Sequence, residues 1–278
     1  MAQQPLDRFA ELVIRDQFNL ADACLLIAED AYPALPRASY IDRIDEMAAA
    51  VRTRVPSDAF AEQKIIALNH YLFGELGFSG DVEHYYDPRN SYLNEVIERR
   101  RGIPITLSVL YIEVGRRLGL ALQGVSFPGH FLVKLKVKQG QLVLDPFAGG
   151  EPQGEDDLRK RLATVLPRDG RDVQDIDPYI EAATSRQIVA RILRNLKGIY
   201  MEGARLEEAL PVMNRILLVS PESVEELRDR GLVYARLDCF RPAVVDLQNY
   251  LRRRPDAPDA AEIHTRLVDL KGKASRLN

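Results

Sequence analysis

The chain opens with apolar positions spaced three and four residues apart. In LDRFAELVI, the residues Leu6, Phe9, Ala10, Val13 and Ile14 fall on one helical face. Asn19 is placed to cap a second helix with Ala23, Cys24 and Ile27 inward, because a short polar side chain accepts from the free N–H groups of a first turn. Ser39 is placed to cap a third, carrying Ile44, Met47, Ala48 and Val51. Ser57 is placed to cap a fourth, with Ile65, Leu68, Leu72 and Leu76 buried and Gly77 just past its end. The stretch from Pro5 to Gly77 is therefore predicted to be helical.

The pattern then changes. SYLNEVIERRRG reads as a helix capped by Ser91 and stopped near Gly102. Pro104 suits the first turn of the next helix, ITLSVLYIEVGRRLG, with Leu107, Leu110, Tyr111 and Val114 inward. Three β-like runs follow, ALQGVSF, FLVKLKV and QLVLDPF. The last two flank Gln139-Gly140 and read as a hairpin. Helices followed by antiparallel strands predict an α+β domain over residues 1–150. Residues 151–184 are rich in charge, Pro and Gly, broken by a short helix at EDDLRKRLATVL, and read as a connecting segment.

Residues 185–278 repeat. A shift of 34 places Leu193 on Leu227, Arg194 on Arg228, Tyr200 on Tyr234, Ala209 on Ala243, Leu217 on Leu251 and Pro221 on Pro255. That is the tetratricopeptide period. Gly231 and Ala243 supply small residues where two antiparallel helices approach, and the prolines end the second helix of each pair. Two copies alone cannot bury a continuous core, so the helix from Ala260 to Lys271 is expected to cap the array and other helices to prop the first copy.

Composition narrows the function classes. The formal net charge is −3, which gives no bulk basic field for nucleic acid. Two cysteines, Cys24 and Cys239, argue against a disulfide framework and point to a reducing compartment. No secretory pattern opens the chain and no apolar run reaches membrane-spanning length, so a cytoplasmic location without membrane contact is expected. His70, His84 and His264 have no metal-ligand spacing, and no phosphate or dinucleotide fingerprint occurs, so neither metal nor cofactor is expected.

The stretch YYDPRNSYLNEVIERRRGIPITLSVLYIEVGRRLGL, then GVSFPGHFLVKL, then LVLDPFAGG, resembles the transglutaminase-like core of SirB-type bacterial proteins. The tetratricopeptide-like repeats behind it are also typical of them. The resemblance implies a papain-like helix-plus-antiparallel-sheet core, preceded by helices and followed by an all-α repeat region. In that superfamily a cysteine begins a buried helix, a histidine begins a strand and an aspartate ends the next. The thiolate attacks an amide carbonyl, the imidazole moves the proton and the carboxylate orients the imidazole.

His130 in PGHFLV matches the histidine and Asp145 in VLDPF the aspartate. A turn centred on Gln139-Gly140 sets Asp145 opposite Lys134. Only a turn near Val137-Lys138, or a bulge, sets it opposite His130. The resemblance implies that the two are close. Counting back from Gly119 by the superfamily's spacing reaches Pro104, where the cysteine is expected. The nearest hydroxyls are Thr106 and Ser108, far weaker nucleophiles than a thiol. The resemblance also suggests that Asn90, Asn94 and Arg100 line the same cleft as His130.

Each residue has a plain structural reading too. His130 and Asp145 can simply tie two strands together. Ser108 can bond back to a helix carbonyl, and Asn94 to local backbone. The arginines 99–101 and 252–254 suit the negative end of a helix dipole. Cys24 reads as a buried small hydrophobe and Cys239 as a turn residue.

Two functions follow as expectations. The first is a non-catalytic scaffold or regulator that binds a protein or peptide partner through the repeat surface. The alternative is a hydrolase or amide-transfer enzyme using His130 and Asp145 with Ser108, Thr106 or water as nucleophile.

Overall fold

A computed structural model describes residues 4–15, 17–137, 140–166 and 175–276. The chain divides into two compact units, Ile14–Ile192 and Met1–Val13 with Leu193–Asn278. The first helix, α1 (Pro5–Val13), joins the smaller unit, with Phe9 and Val13 buried. Ile14, expected on its inner face, lies beyond the helix end and is 78% exposed.

The larger unit begins with α2 (Leu20–Ala28). The Asn19 side chain accepts from the Asp22 amide, a side-chain cap at its start. Apart from Asp22 its residues are buried, so α2 runs through the core rather than along its edge. α3 (Arg37–Arg52) starts straight after Pro36 without a side-chain cap, and Ser39 sits inside the first turn. Ile44, Met47, Ala48 and Val51 are buried as the spacing predicts. α4 (Ala61–Asn69) starts at Phe60, whose amide is taken by the Gln63 side chain, and not at Ser57. It runs into a π-helical turn, His70–Glu75, that no local signal marked.

β1 (Ser79–Gly80) precedes a 3-10 turn at Pro88–Ser91 and then α5 (Leu93–Arg99). Ser91 belongs to the 3-10 turn and does not cap α5. The helix stops at Arg100, whose φ of 56° is left-handed, and not at Gly102. That turn releases β2 (Arg101–Gly102) to pair parallel with β1. α6 (Pro104–Arg117) follows with proline in its first turn and is buried from Pro104 to Gly115. Its one interior charge, Glu113, accepts from Arg116 at 3.0 Å and Arg117 at 2.8 Å.

The main sheet is antiparallel in the order β3 (Gln123–Val125), β4 (Leu132–Val137), β5 (Gly140–Asp145), β6 (Glu151–Pro152). Val137 pairs with Gly140 and Lys134 with Val143. The turn centred on Gln139-Gly140 is therefore corrected: Gly140 is a strand residue, and Gln139 lies outside the described residues.

α7 (Glu155–Val165) buries Leu158 and Leu162, one turn apart, against Val125, Phe127, Leu132 and Val143 of the sheet layer. Ala182 bridges to Val125. The described part of 151–184, expected as a connector, thus supplies a strand, a helix and a bridge to the larger unit. An apolar stripe on α7 has a sheet face to cover, and burying both stabilises more than leaving them in water.

The division between units falls inside α8 (Ser185–Glu202). The smaller unit continues with α9 (Leu206–Val219), α10 (Val224–Arg236), α11 (Phe240–Arg253) and α12 (Ala260–Arg276). α10 packs on α11, where a Cβ on Gly231 would stand 2.9 Å from the Leu247 side chain. Arg230 and Asp246 join the same two helices by paired hydrogen bonds of 2.7 and 2.8 Å. α12 covers α11 through Ile263, Leu267 and Leu270. α1 packs on α9, with the Arg215 guanidinium 5.2 Å from the Phe9 ring centroid. The first repeat is thus propped from the start of the chain.

Candidate functional site

His130 lies in the turn just before β4. Its amide bonds to the Phe127 carbonyl at 3.1 Å. Gly129 has a φ of +68°, and a Cβ there would meet Val165 at 2.8 Å, so only glycine fits this turn. Asp145 ends β5 and caps the 3-10 turn Pro146–Ala148, accepting from the Phe147 amide at 3.1 Å and the Ala148 amide at 3.4 Å.

The cap swings the carboxylate off the strand ladder. His130 Nε2 stands 2.9 Å from Asp145 Oδ1 and 3.0 Å from Oδ2. The two meet without being cross-strand partners, so neither turn position weighed from the sequence explains the contact. Asp145 is 1% exposed. A third group joins it: Arg161 on α7 donates to Oδ2 at 2.7 Å.

Burial alone pushes the Asp145 carboxyl up. The His130 hydrogen bond and charge, the Arg161 charge and the Phe147 amide outweigh it and hold the group below the usual carboxylate range. An ionised carboxylate only accepts, so the Nε2 that faces it carries a proton and donates. Nδ1 makes no hydrogen bond among the described residues.

Aromatic rings wall the imidazole. Phe147 packs edge-on to it with centroids 5.9 Å apart, and Tyr85 packs on Phe147 at 6.4 Å. The Phe147 ring closes over Gly80, where a Cβ would come within 2.4 Å of it. Tyr85 and Tyr86 form an edge-to-face pair, and Tyr86 is 72% exposed.

The other expected site residues are distributed around the start of α6. Pro104 occupies its first turn. Thr106 Oγ1 donates to the Asn90 carbonyl at 2.7 Å and accepts from the Ile103 amide at 3.2 Å, so its hydroxyl is used in capping. Asn90 is buried, donating to the His84 carbonyl and accepting from Arg99. Asn94 is buried, and its Oδ1 has no hydrogen-bond partner among the described residues. Ser108 Oγ is fully buried and among the described residues makes no hydrogen bond, so it neither bonds back along the helix nor bonds to His130.

Arg100 turns out to the Leu76 carbonyl at 2.8 Å, while Arg99 takes the inward position, meeting Asn90 at 3.0 Å and Asp81 at 3.2 Å. The left-handed residue at position 100 rotates the chain and separates the two arginines.

Cys24 is buried in α2, where desolvation first and the Glu113 charge second push its thiol up. Cys239 is exposed, in the smaller unit, just before α11. Neither forms a hydrogen bond with His130 among the described residues. Nor do those residues contain a His, Cys, Asp and Glu cluster suited to a metal, or a helix long and apolar enough to cross a membrane.

A model of the transglutaminase-like superfamily matches residues 38–194, more than half of the chain and the whole of this cleft. The chain belongs to that superfamily. Behind the transglutaminase-like domain, a tetratricopeptide repeat model matches residues 196–268. The chain is 43% identical over 254 residues to a UPF0162 protein of Xylella fastidiosa (strain Temecula1 / ATCC 700964), covering 91% of this chain and 90% of that one. It is 26% identical over 262 residues to Protein SirB1 of Salmonella typhimurium, covering 92% and 96%. Of solved structures, the crystal structure of menin covers 88% of this chain and 68% of its own at 12% identity, with a TM-score of 0.39 too low to carry an argument.

Within this transglutaminase-like domain, sequence reasoning missed Phe147 against His130, Tyr85 against Phe147 and Arg161 on Asp145. Phe147 lay in the LVLDPF motif and could have been taken with Asp145. Arg161 sits between Leu158 and Leu162, but nothing local shows which carboxylate that face meets.

Proposed function

We propose that this chain is a protein- or peptide-binding scaffold or regulator whose transglutaminase-like cleft works without a cysteine nucleophile. The observation that carries this reading is the start of α6, where Pro104 stands and neither cysteine is bonded to His130. The repeat unit supports it independently. A cavity of about 460 Å³ lies between α8 and α10, with Gly198, Met201 and Leu232 among its apolar residues and Lys197, Glu226 and Asp229 among its charged ones. A second of about 370 Å³ shares Met201 and Leu232 and continues towards α12. A run of apolar floor with charged walls suits an extended or helical peptide.

The test is selection from a displayed peptide library, followed by calorimetry of the enriched sequences on wild type and on Leu232→Asp. Saturable binding lost in the variant, with the peptides recovered intact, is the expected result. Peptides recovered cleaved or cross-linked, or none enriched, would overturn the reading.

A second reading is favoured by one feature. Among the described residues Nδ1 of His130 makes no hydrogen bond, which leaves it open to act as a general base. With Thr106 used in capping and Ser108 unbonded, water is the nucleophile of that hydrolase.

A further inference from the structure

Most half-buried arginines of the larger unit that were singled out above meet a carboxylate: Arg99 meets Asp81, Arg117 meets Glu113 and Arg161 meets Asp145. Arg191, on α8, does not. It is half-buried, and one terminal nitrogen donates to Ser126 Oγ at 2.8 Å and the Phe127 carbonyl at 3.2 Å. Its guanidinium lies 5.6 Å from the Phe131 ring centroid. Among the described residues no carboxylate is within ion-pair distance, and its other two nitrogens form no hydrogen bond. Desolvation works against its charge, and the Tyr85 phenol opposes it. A cation taken partly out of water without a counter-charge costs free energy unless something supplies the anion.

The position of Arg191 relates it to the cleft. The Phe127 carbonyl accepts from both the His130 amide and Arg191, so one turn fixes both groups. Tyr85, beside Arg191, packs on Phe147, which packs on His130. Arg191 and His130 thus share one turn, and a run of ring contacts leads from His130 through Phe147 to Tyr85, which lies within electrostatic reach of Arg191. The remaining guanidinium nitrogens form a planar fork that matches two carboxylate oxygens.

We infer that the His130 cleft takes a carboxylate-bearing apolar or aromatic residue, with Arg191 binding the carboxylate and Tyr85 and Phe147 the side chain. This rests on reading the cleft as a binding site. The carboxylate is either a chain terminus or an acidic side chain, and the two are separable by ligand choice.

The experiment is an NMR titration of the full chain, following the Arg191 Nε–H and His130 Cε1–H signals. The probes are N-acetyl-phenylalanine, its amide, and N-acetyl-aspartyl-phenylalanine amide. The two carboxylates are expected to bind about tenfold or more tighter than the amide, as a charged hydrogen-bonded pair requires. The tighter of the two identifies the terminus or the side chain. Arg191→Gln is expected to abolish the preference.

Equal binding of acid and amide by wild type, no saturable shift with any probe, or a preference that survives Arg191→Gln would overturn the inference. The wild-type comparison stands even if the variant folds poorly. Conversion of the amide to the acid in the same spectra would instead sink the non-catalytic reading and leave the carboxylate site standing.

Discussion

Arg161 donates to Asp145 at 2.7 Å, on the oxygen opposite to the one that takes the Phe147 and Ala148 amides. The carboxylate that orients His130 is thus shared with a permanent cation. In a working triad the carboxylate stabilises the imidazolium that forms during proton transfer. A guanidinium already seated on it competes for that charge. The arrangement favours a fixed imidazole over one cycling its proton.

Replacing Arg161 with Met is expected to destabilise the fold by about 1–2 kcal/mol in urea unfolding. That is less than a fully buried pair, because the Arg161 side chain is 35% exposed. No loss of stability would remove Arg161 from the Asp145 network.

The same variant carries a pH signature. The folded-state Asp145 carboxyl lies below the unfolded value of about 3.9. Its stabilising contribution is complete above that unfolded value and is lost as pH falls through the lower folded one. Arg161→Met removes one of the groups that lower the folded value and so narrows the gap between the two. Its stability should therefore fall less steeply than that of wild type on acidification from about pH 5 to about pH 2. A steeper fall would reverse the sign of the argument.

Gly80→Ala forces a methyl into the Phe147 ring. Overpacking of this kind costs about 1–3 kcal/mol. The displaced ring should also shift the His130 ring resonances, which it contacts edge-on. Wild-type stability and unchanged resonances together would show that Phe147 does not fix the imidazole.

In the repeat unit, Asp246→Ala leaves the Arg230 guanidinium, among the described residues, with the hydrogen bond to Asn214. Asp246 is 3% exposed, and the loss should cost about 2–4 kcal/mol. Asp246→Asn, which keeps one acceptor, should cost less, and equal losses would argue against the ion pair as the cause.

Much of this was legible in the chain. Pro104 followed by an apolar run marked α6, because proline and buried periodicity are local signals. The 34-residue shift marked the repeats, because each copy is built from the same local contacts. What escaped depended on tertiary placement. The run 99–101 showed a helix end, but which arginine turns inward follows from the left-handed step at Arg100. Strand counting could not settle His130 against Asp145, because their contact is made beyond the ladder, by a turn and a capping carboxylate. Arg161 escaped because α7 reads as a polar connector until its two leucines are laid on the sheet.

Thiol accessibility follows from burial. Native protein should expose one reactive thiol to a disulfide reagent, Cys239, while Cys24 reacts only after unfolding, since burial pushes its thiol up. Rapid native labelling of both would place a mobile thiol in the larger unit.

The most direct test of the central claim is release of ammonia or amine from glutamine-containing peptides and isopeptides, compared between wild type and His130→Ala. The account expects identical background rates in the two. A wild-type rate that His130→Ala abolishes, and that Cys24→Ala or Cys239→Ala also removes, would contradict it.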